Sequence, residues 1–252
     1  MGKIIAITSG KGGSGKTLLT AALGMALAEN GQHVCLTDGC FGMRGLDMAL
    51  GVQDKVVFDL ADLCEQDSSV EQIAVKIRGG ELYLVAAPQW EPELSDKQLA
   101  RCMERLKKRF DYVLVDIPVI LQPIARRLLS LSDEILLVSI PGDETARNTE
   151  RAAAMIRDWC DQPLSLVMNF FSKGLVSAGK AAPPDAISAY LDIPLTGIVP
   201  FSDVIYNAAY EGRLLDEYPE KIREAVLRIA RRLEGENIPL KTYHARRLLW
   251  HS

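Results

Sequence analysis

The sequence predicts an α/β fold, a mostly parallel sheet with helices on both faces. Three observations predict it. Short apolar runs alternate with amphipathic stretches at helical spacing along the whole chain. A glycine-rich segment, Ser9 to Thr17, joins the first apolar run to the first amphipathic stretch. Two of the runs end in an acid, Asp38 and Asp116, and ligands of open α/β sheets gather at the carboxyl ends of strands.

Ile4-Ile5-Ala6-Ile7 is the first buried strand. The segment after it, Gly10-Lys11-Gly12-Gly13-Ser14-Gly15-Lys16-Thr17, fits the GxxxxGK[ST] phosphate-binding pattern in its required strand–loop–helix setting. Glycines let successive N–H groups turn inward around phosphate oxygens, and the positive end of the following helix adds to that field. Gly12, Gly13, Ser14, Gly15, Lys16, Thr17 and Leu18 are therefore candidate nucleotide-binding residues. Lys16 would reach the β- and γ-phosphates, and the Thr17 hydroxyl would hold Mg²⁺. The bland alternative is a chance glycine-rich turn.

Thr17 to Glu29 reads as a helix stopped by Gly31, and His33 to Asp38 as the second buried strand. Asp38 could accept a hydrogen bond from water on Mg²⁺. The run from Gly39 to Asp47 lacks periodicity and reads as a mobile switch segment. Phe58 to Glu65 suggests a short helix, Leu82 to Ala87 a strand, and Asp96 to Phe110 a helix capped by Ser95. The Lys107-Lys108-Arg109 run then sits at that helix's negative end rather than forming a binding patch. Tyr112-Val113-Leu114-Val115-Asp116 has the pattern of a Walker B strand, whose carboxylate helps hold Mg²⁺. Glu134 to Ile140 and Leu164 to Asn169 are further strands, with a helix from Asp143 to about Trp159 between them. Phe170 to Pro184 reads as a surface loop and Gly197 to Pro200 as the last strand. Helices over about Val204 to Glu211 and Glu220 to Glu234 complete the body.

Composition narrows the function classes. Hydrophobic residues at 48% and charged residues at 25% describe a foldable globular chain, which excludes wholesale disorder and a multispanning membrane protein. A net charge of −4 argues against a nucleic-acid footprint. Five scattered cysteines, with no CxxC pair and no Cys/His cluster, suit a reducing cytoplasm. The three histidines are too dispersed for a metal site. We expect one domain over residues 1–238 and a tail over 239–252.

The loop resembles the deviant Walker A motif of the MinD/ParA ATPases, marked by the extra lysine near its start, here Lys11. The resemblance runs from Lys3 to the C-terminus and implies a three-layer P-loop NTPase fold. It also implies ATP and Mg²⁺ as cofactors and an ATP-dependent homodimer in which Lys11 of each subunit reaches the other's nucleotide. A second cation at the triphosphate offsets charge that one lysine cannot. By this resemblance Lys11, Lys16 and Asp38 are the catalytic candidates, and Thr17, Asp38 and Asp116 hold the metal. Phe41 to Gly51 and Val56 to Asp59 resemble the first switch of the MinD branch. Asn169, Pro200 and Asp203 resemble its adenine-side positions, and the helix containing Arg147 and Glu150 its partner surface.

That likeness implies a switch in division-site placement at the membrane. The alternatives are a nonhydrolysing ATP-binding scaffold for motility, secretion or division machinery, and a ParA-type DNA segregation ATPase. Two departures bear on turnover. Cys40 stands where the family carries a second switch Asp, and Val119-Ile120 where it carries small residues ending in Gly. A thiol is a poor acceptor at neutral pH, so ATP binding is better supported than hydrolysis. The tail, with Arg246, Arg247, Leu248, Leu249 and Trp250, is similar in place and composition to a membrane-targeting amphipathic helix. Its alternatives are a terminal helix docked on the domain or a frayed end. The expected location is the cytoplasm, peripheral to the inner face of the membrane where the tail binds lipid.

Overall fold

In the computed structural model, which describes residues 2–65, 68–77, 80–213 and 219–240, strand and helix alternate from the start. The order is β1 (Lys3–Ser9), α1 (Lys16–Glu29), β2 (Val34–Asp38), α2 (Leu46–Ala49), α3 (Leu60–Cys64), α4 (Val70–Ile73), β3 (Val75–Lys76), β4 (Leu82–Val85), α5 (Asp96–Arg109) and β5 (Tyr112–Asp116). It continues with α6 (Pro123–Ser130), β6 (Glu134–Ser139), α7 (Asp143–Trp159), β7 (Leu164–Phe171), α8 (Lys173–Ser177), α9 (Pro184–Leu191), β8 (Leu195–Pro200), α10 (Asp203–Tyr210) and α11 (Glu220–Leu233).

The strands form one sheet in the order β3-β4-β2-β5-β1-β6-β7-β8. Every neighbouring pair is parallel except β3 with β4. Parallel strands covered on both faces carry continuous apolar runs, as these do. Successive side chains go to opposite faces. Ile4, Ala6, Val113 and Val115 face one core, filled by α3, α5, α6, α7 and α9. Ile5, Ile7, Leu36 and Leu114 face the other, filled by α1 and α11. Each such buried Val, Leu or Ile side chain contributes roughly 1.5–3 kcal/mol. The expected three layers are present.

Register does the functional work. β1 lies between β5 and β6, so the loop after it opens at a point where strand order reverses. Asp38, the last residue of β2, pairs in register with Asp116, the last of β5, which brings the two acids side by side.

Several expectations change. Phe170 to Pro184 is not a loop throughout, because β7 runs on to Phe171, α8 follows, and Pro184 opens α9. α8 buries only Val176, too little to leave a periodic signature. α4 and β3 lie in connecting sequence that periodicity leaves blank. α6 is likewise unexpected, although Pro123 in its first turn is a start signal. The segment 39–47 gains order at its end, where Leu46 begins α2. The tail, including Arg246, Arg247, Leu248, Leu249 and Trp250, lies outside the described residues. Among the described residues, no helix is long and apolar enough to cross a membrane.

Candidate functional site

The loop between β1 and α1 is shaped by two left-handed glycines, Gly13 at φ 75° and Gly15 at φ 77°. A Cβ on Gly15 would lie 2.5 Å from Asn169 Nδ2 and 2.6 Å from the Phe170 ring, so only glycine lets the loop seat there. Around Gly12 and Gly13 the space is open. The Asn169 amide donates to the Ser14 carbonyl at 2.9 Å, which fixes the loop to the end of β7.

The N-terminus of α1 is bare. Gly15 provides no side-chain cap, and no acidic residue occupies the first turn. α3, α4 and α5 are all closed by complete capping boxes, from Asp59, Ser69 and Ser95. A helix start with free N–H groups under a glycine cradle is an anion site. The buried Ser14 hydroxyl in the same loop has no hydrogen-bond partner, as expected of a group reserved for a ligand.

The acids sit below. Thr17 Oγ1 donates to Asp116 Oδ2 at 2.6 Å, while Asp116 Oδ1 is buried and has no hydrogen-bond partner. One ligand atom each from Asp38, Cys40 and Asp116 lies within 4.8 Å of the others. Burial first, then the neighbouring Asp38 carboxylate, pushes the Asp116 carboxyl up to about 7, against the Thr17 hydrogen bond and the Lys16 ammonium. The Asp38 carboxyl is also raised, by burial. Two crowded carboxylates, a hydroxyl and an unpaired oxygen fit a hard divalent cation such as Mg²⁺, which Thr17 and Asp116 would hold with Asp38 beside them.

Asp38 has a second task. Its Oδ1 accepts from the Cys40 N–H at 2.8 Å, and its Oδ2 from Gly45 N–H at 2.7 Å and Leu46 N–H at 3.1 Å. The carboxylate thereby braces the segment that crosses the mouth of the site. The Cys40 thiol is pushed up by burial and by Asp116 and Asp38, so it is neutral, and it reaches the Asp116 carbonyl at 3.9 Å. Ile120 turns its side chain into the core, and its N–H points to the Ser9 carbonyl at 3.4 Å. The bulk is absorbed, but that N–H is engaged within the chain.

Lys11 lies at the rim, where its Nζ pairs with Glu144 Oε1 of α7 at 3.0 Å. On the far side an apolar pocket includes Leu18, Leu19 and Ala22 of α1, Asn169 and Phe170, Pro200, and Val226 of α11. Its wall near α10 is made by Ser202 and Ile205 rather than by the exposed Asp203. Arg147 and Glu150 are exposed on α7, with Glu150 accepting from the Tyr190 hydroxyl at 2.9 Å. Sequence reasoning misses Glu144 and Phe170. Phe170 holds a left-handed backbone at φ 51° and stacks edge-on with Phe201 at 5.9 Å, and its place directly after Asn169 is the signal that could have found it.

Comparison with known proteins agrees with this geometry. A family model described as AAA domain matches residues 2–157. The septum site-determining protein MinD of Bacillus subtilis (strain 168) is 34% identical over 247 residues, covering 96% of this chain and 92% of its own. The MinC:MinD cell division protein complex of Aquifex aeolicus is similar in structure, with a TM-score of 0.86, 32% identity, and coverage of 96% of this chain and 100% of that one. MinD of Pyrococcus horikoshii, complexed with Mg-ADP, has a TM-score of 0.79 and 27% identity, covering 93% of this chain and 96% of its own. The phosphate loop, the paired acids and this likeness over nearly the whole length place the chain in the MinD family of septum site-determining proteins.

Proposed function

We propose that the chain is a nucleotide-operated switch for division-site placement, which binds Mg·ATP and pairs with a second copy around it. The observation that carries this reading is the uncapped start of α1 beneath an open glycine cradle, backed by the unpaired Ser14 Oγ and Asp116 Oδ1. Gly12 to Thr17 hold the phosphates, Lys16 neutralises them, and Thr17 and Asp116 hold Mg²⁺, which screens phosphate charge when bound. Leu18, Asn169 and Pro200 border the base, with Asp203 at the edge of that pocket. Mg-ADP in the Pyrococcus horikoshii relative supports the same ligand here.

Lys11 is the residue we assign to the partner's nucleotide. In the single chain it is parked on Glu144 at the exposed rim, within reach of a second subunit. Met43, Met48, Val57, Phe58, Trp90 and Leu121 are exposed on segments that follow β2, β4 and β5, on the same edge as the loop. Such side chains suit an interface. The MinC:MinD complex of Aquifex aeolicus supports a regulatory protein partner, for which the exposed Arg147 and Glu150 of α7 are the candidate contacts. The tail from Lys241 is the candidate membrane contact, tested by vesicle co-sedimentation of the full chain against one stopped before it.

A second reading, an ATP-binding scaffold that does not hydrolyse, is favoured by Cys40 and by the engaged N–H of Ile120. One experiment separates them. Light scattering of the purified chain with ATP, ADP or no nucleotide, beside phosphate release, should give a dimer with ATP alone and slow turnover. A Lys11→Ala variant should bind nucleotide yet stay monomeric. A monomer under all three conditions removes the switch, and a stable ATP dimer without phosphate release selects the scaffold.

A further inference from the structure

α3 and α5 pack together on one face of the sheet, and each brings a cysteine to the contact. Cys64 is the last residue of α3, and Cys102 lies in the middle of α5. Both are free thiols, 4% and 1% exposed. A buried cysteine is usually only a small hydrophobe, so the pair alone assigns no chemistry. Its surroundings do. A pocket of about 350 Å³ reaches the pair, lined by Leu63, Cys64, Arg101, Cys102 and Arg105. No carboxylate among the described residues lines it. Arg105 is fixed there, donating from Nη1 to the Leu63 carbonyl at 2.7 Å and from Nη2 to that of Ser68.

We propose that Cys64 and Cys102 form a thiol–disulfide exchange site that takes small anionic disulfides, of the glutathione disulfide class, and closes into a bond between α3 and α5. The division of labour follows from the electrostatics. Arg105, bound through Nη1 to the carbonyl of Leu63, the residue before Cys64, puts its cation beside that thiol, the more exposed of the two. The thiolate is the nucleophile, and cations beside it raise its population. Arg101 and Arg105, which line the pocket, pair with the carboxylates of the incoming disulfide.

The exchange balances in two steps. The Cys64 thiolate attacks one sulfur of the disulfide, forming a mixed disulfide and expelling the first thiolate, which takes up the proton that Cys64 gave to solvent. Cys102 then loses its proton, attacks the Cys64 sulfur and expels the second thiolate. The chain gives up two hydrogens, with their electrons, and the small disulfide becomes two thiols. The new bond ties α3, which follows the segment 39–58 at the nucleotide site, to α5.

The test uses the full chain, without nucleotide, so its outcome is independent of the switch reading. The chain is incubated with glutathione disulfide or with cystamine, a cationic disulfide, and followed by non-reducing mass spectrometry with peptide mapping. The expected product is a Cys64–Cys102 linked peptide, lighter by two hydrogens and restored by dithiothreitol. It should form about tenfold faster with the anionic reagent. Cys102→Ser should stop at a glutathione adduct on Cys64, Cys64→Ser should give no adduct at Cys102, and Arg101→Ala should erase the reagent preference. Equal rates with both reagents in the unmodified sequence, first adducts at Cys40 or Cys160, or a linked peptide seen only in the urea-unfolded chain would each overturn the proposal.

Discussion

At position 40 a neutral thiol rests against the Asp116 carbonyl, held by its own N–H to Asp38. It cannot draw a proton from water, whereas a carboxylate there could orient one. Cys40→Asp should therefore raise single-turnover phosphate release by about tenfold or more with Mg·ATP. It should also lower the stability of the metal-free chain by ~2 kcal/mol, since a third carboxylate joins a crowded site. Unchanged turnover in a folded variant would clear Cys40 as the cause. Asp116 gives a second prediction. Its carboxyl, raised from 3.8 to about 7, keeps its proton better in the folded chain than in the unfolded one. The metal-free chain then loses stability as pH rises through that window, while Mg²⁺, which replaces the proton, stabilises more. Thermal melts in EDTA and in Mg²⁺ across that range check the sign, and Asp116→Asn should flatten both curves. Asp38 and Asp116 are legible in the sequence because each ends an apolar run in a chain that carries the loop. Glu144 and Phe170 are not, since one depends on where α7 meets the rim and the other on a backbone angle set by packing.

Among the elements, helix starts separate structure from function. α5 opens with a complete box, Ser95 accepting from the Gln98 N–H and Gln98 Oε1 accepting from the Ser95 N–H. Ser95→Ala should cost about 1 kcal/mol in chemical denaturation and leave nucleotide binding untouched. α1 has no such box, and its stability awaits an anion. Pyrophosphate added to the chain should accordingly raise its melting temperature, and Lys16→Ala should abolish most of that rise. The long elements are legible because their apolar periodicity spans several turns or a whole buried strand, as in α5, β5 and α11. The short ones are not. α4 and β3 are too brief to express a period, and α8 buries a single side chain. α6 could have been read, for Pro123 opens it and Ile124, Ala125, Leu128 and Leu129 are buried on one face.

The whole molecule places its chemistry on one edge. Because the strands other than β3 run parallel, the loops after β1, β2, β4 and β5 emerge together, and the sites proposed for phosphate, metal and a second subunit share that edge. Trp90, 61% exposed, and Met43, 77% exposed, stand out there, and the Gly42 N–H donates to the Pro88 carbonyl at 3.0 Å, tying their two segments together. Neither side chain supports the core, so Trp90→Ser with Met43→Ser should move folding stability by no more than about 0.5 kcal/mol. A buried aromatic anchor at an interface is worth roughly 2 kcal/mol or more, so the ATP-dependent dimer should weaken at least about tenfold. Nucleotide affinity of the single chain should hold, because the phosphate cradle and the apolar pocket use other residues. Sedimentation equilibrium with ATP, beside nucleotide titration at dilution, reads the two quantities separately. If association stays as strong while the fold is intact, this edge is not where the second copy sits, and the role given to Lys11 fails with it.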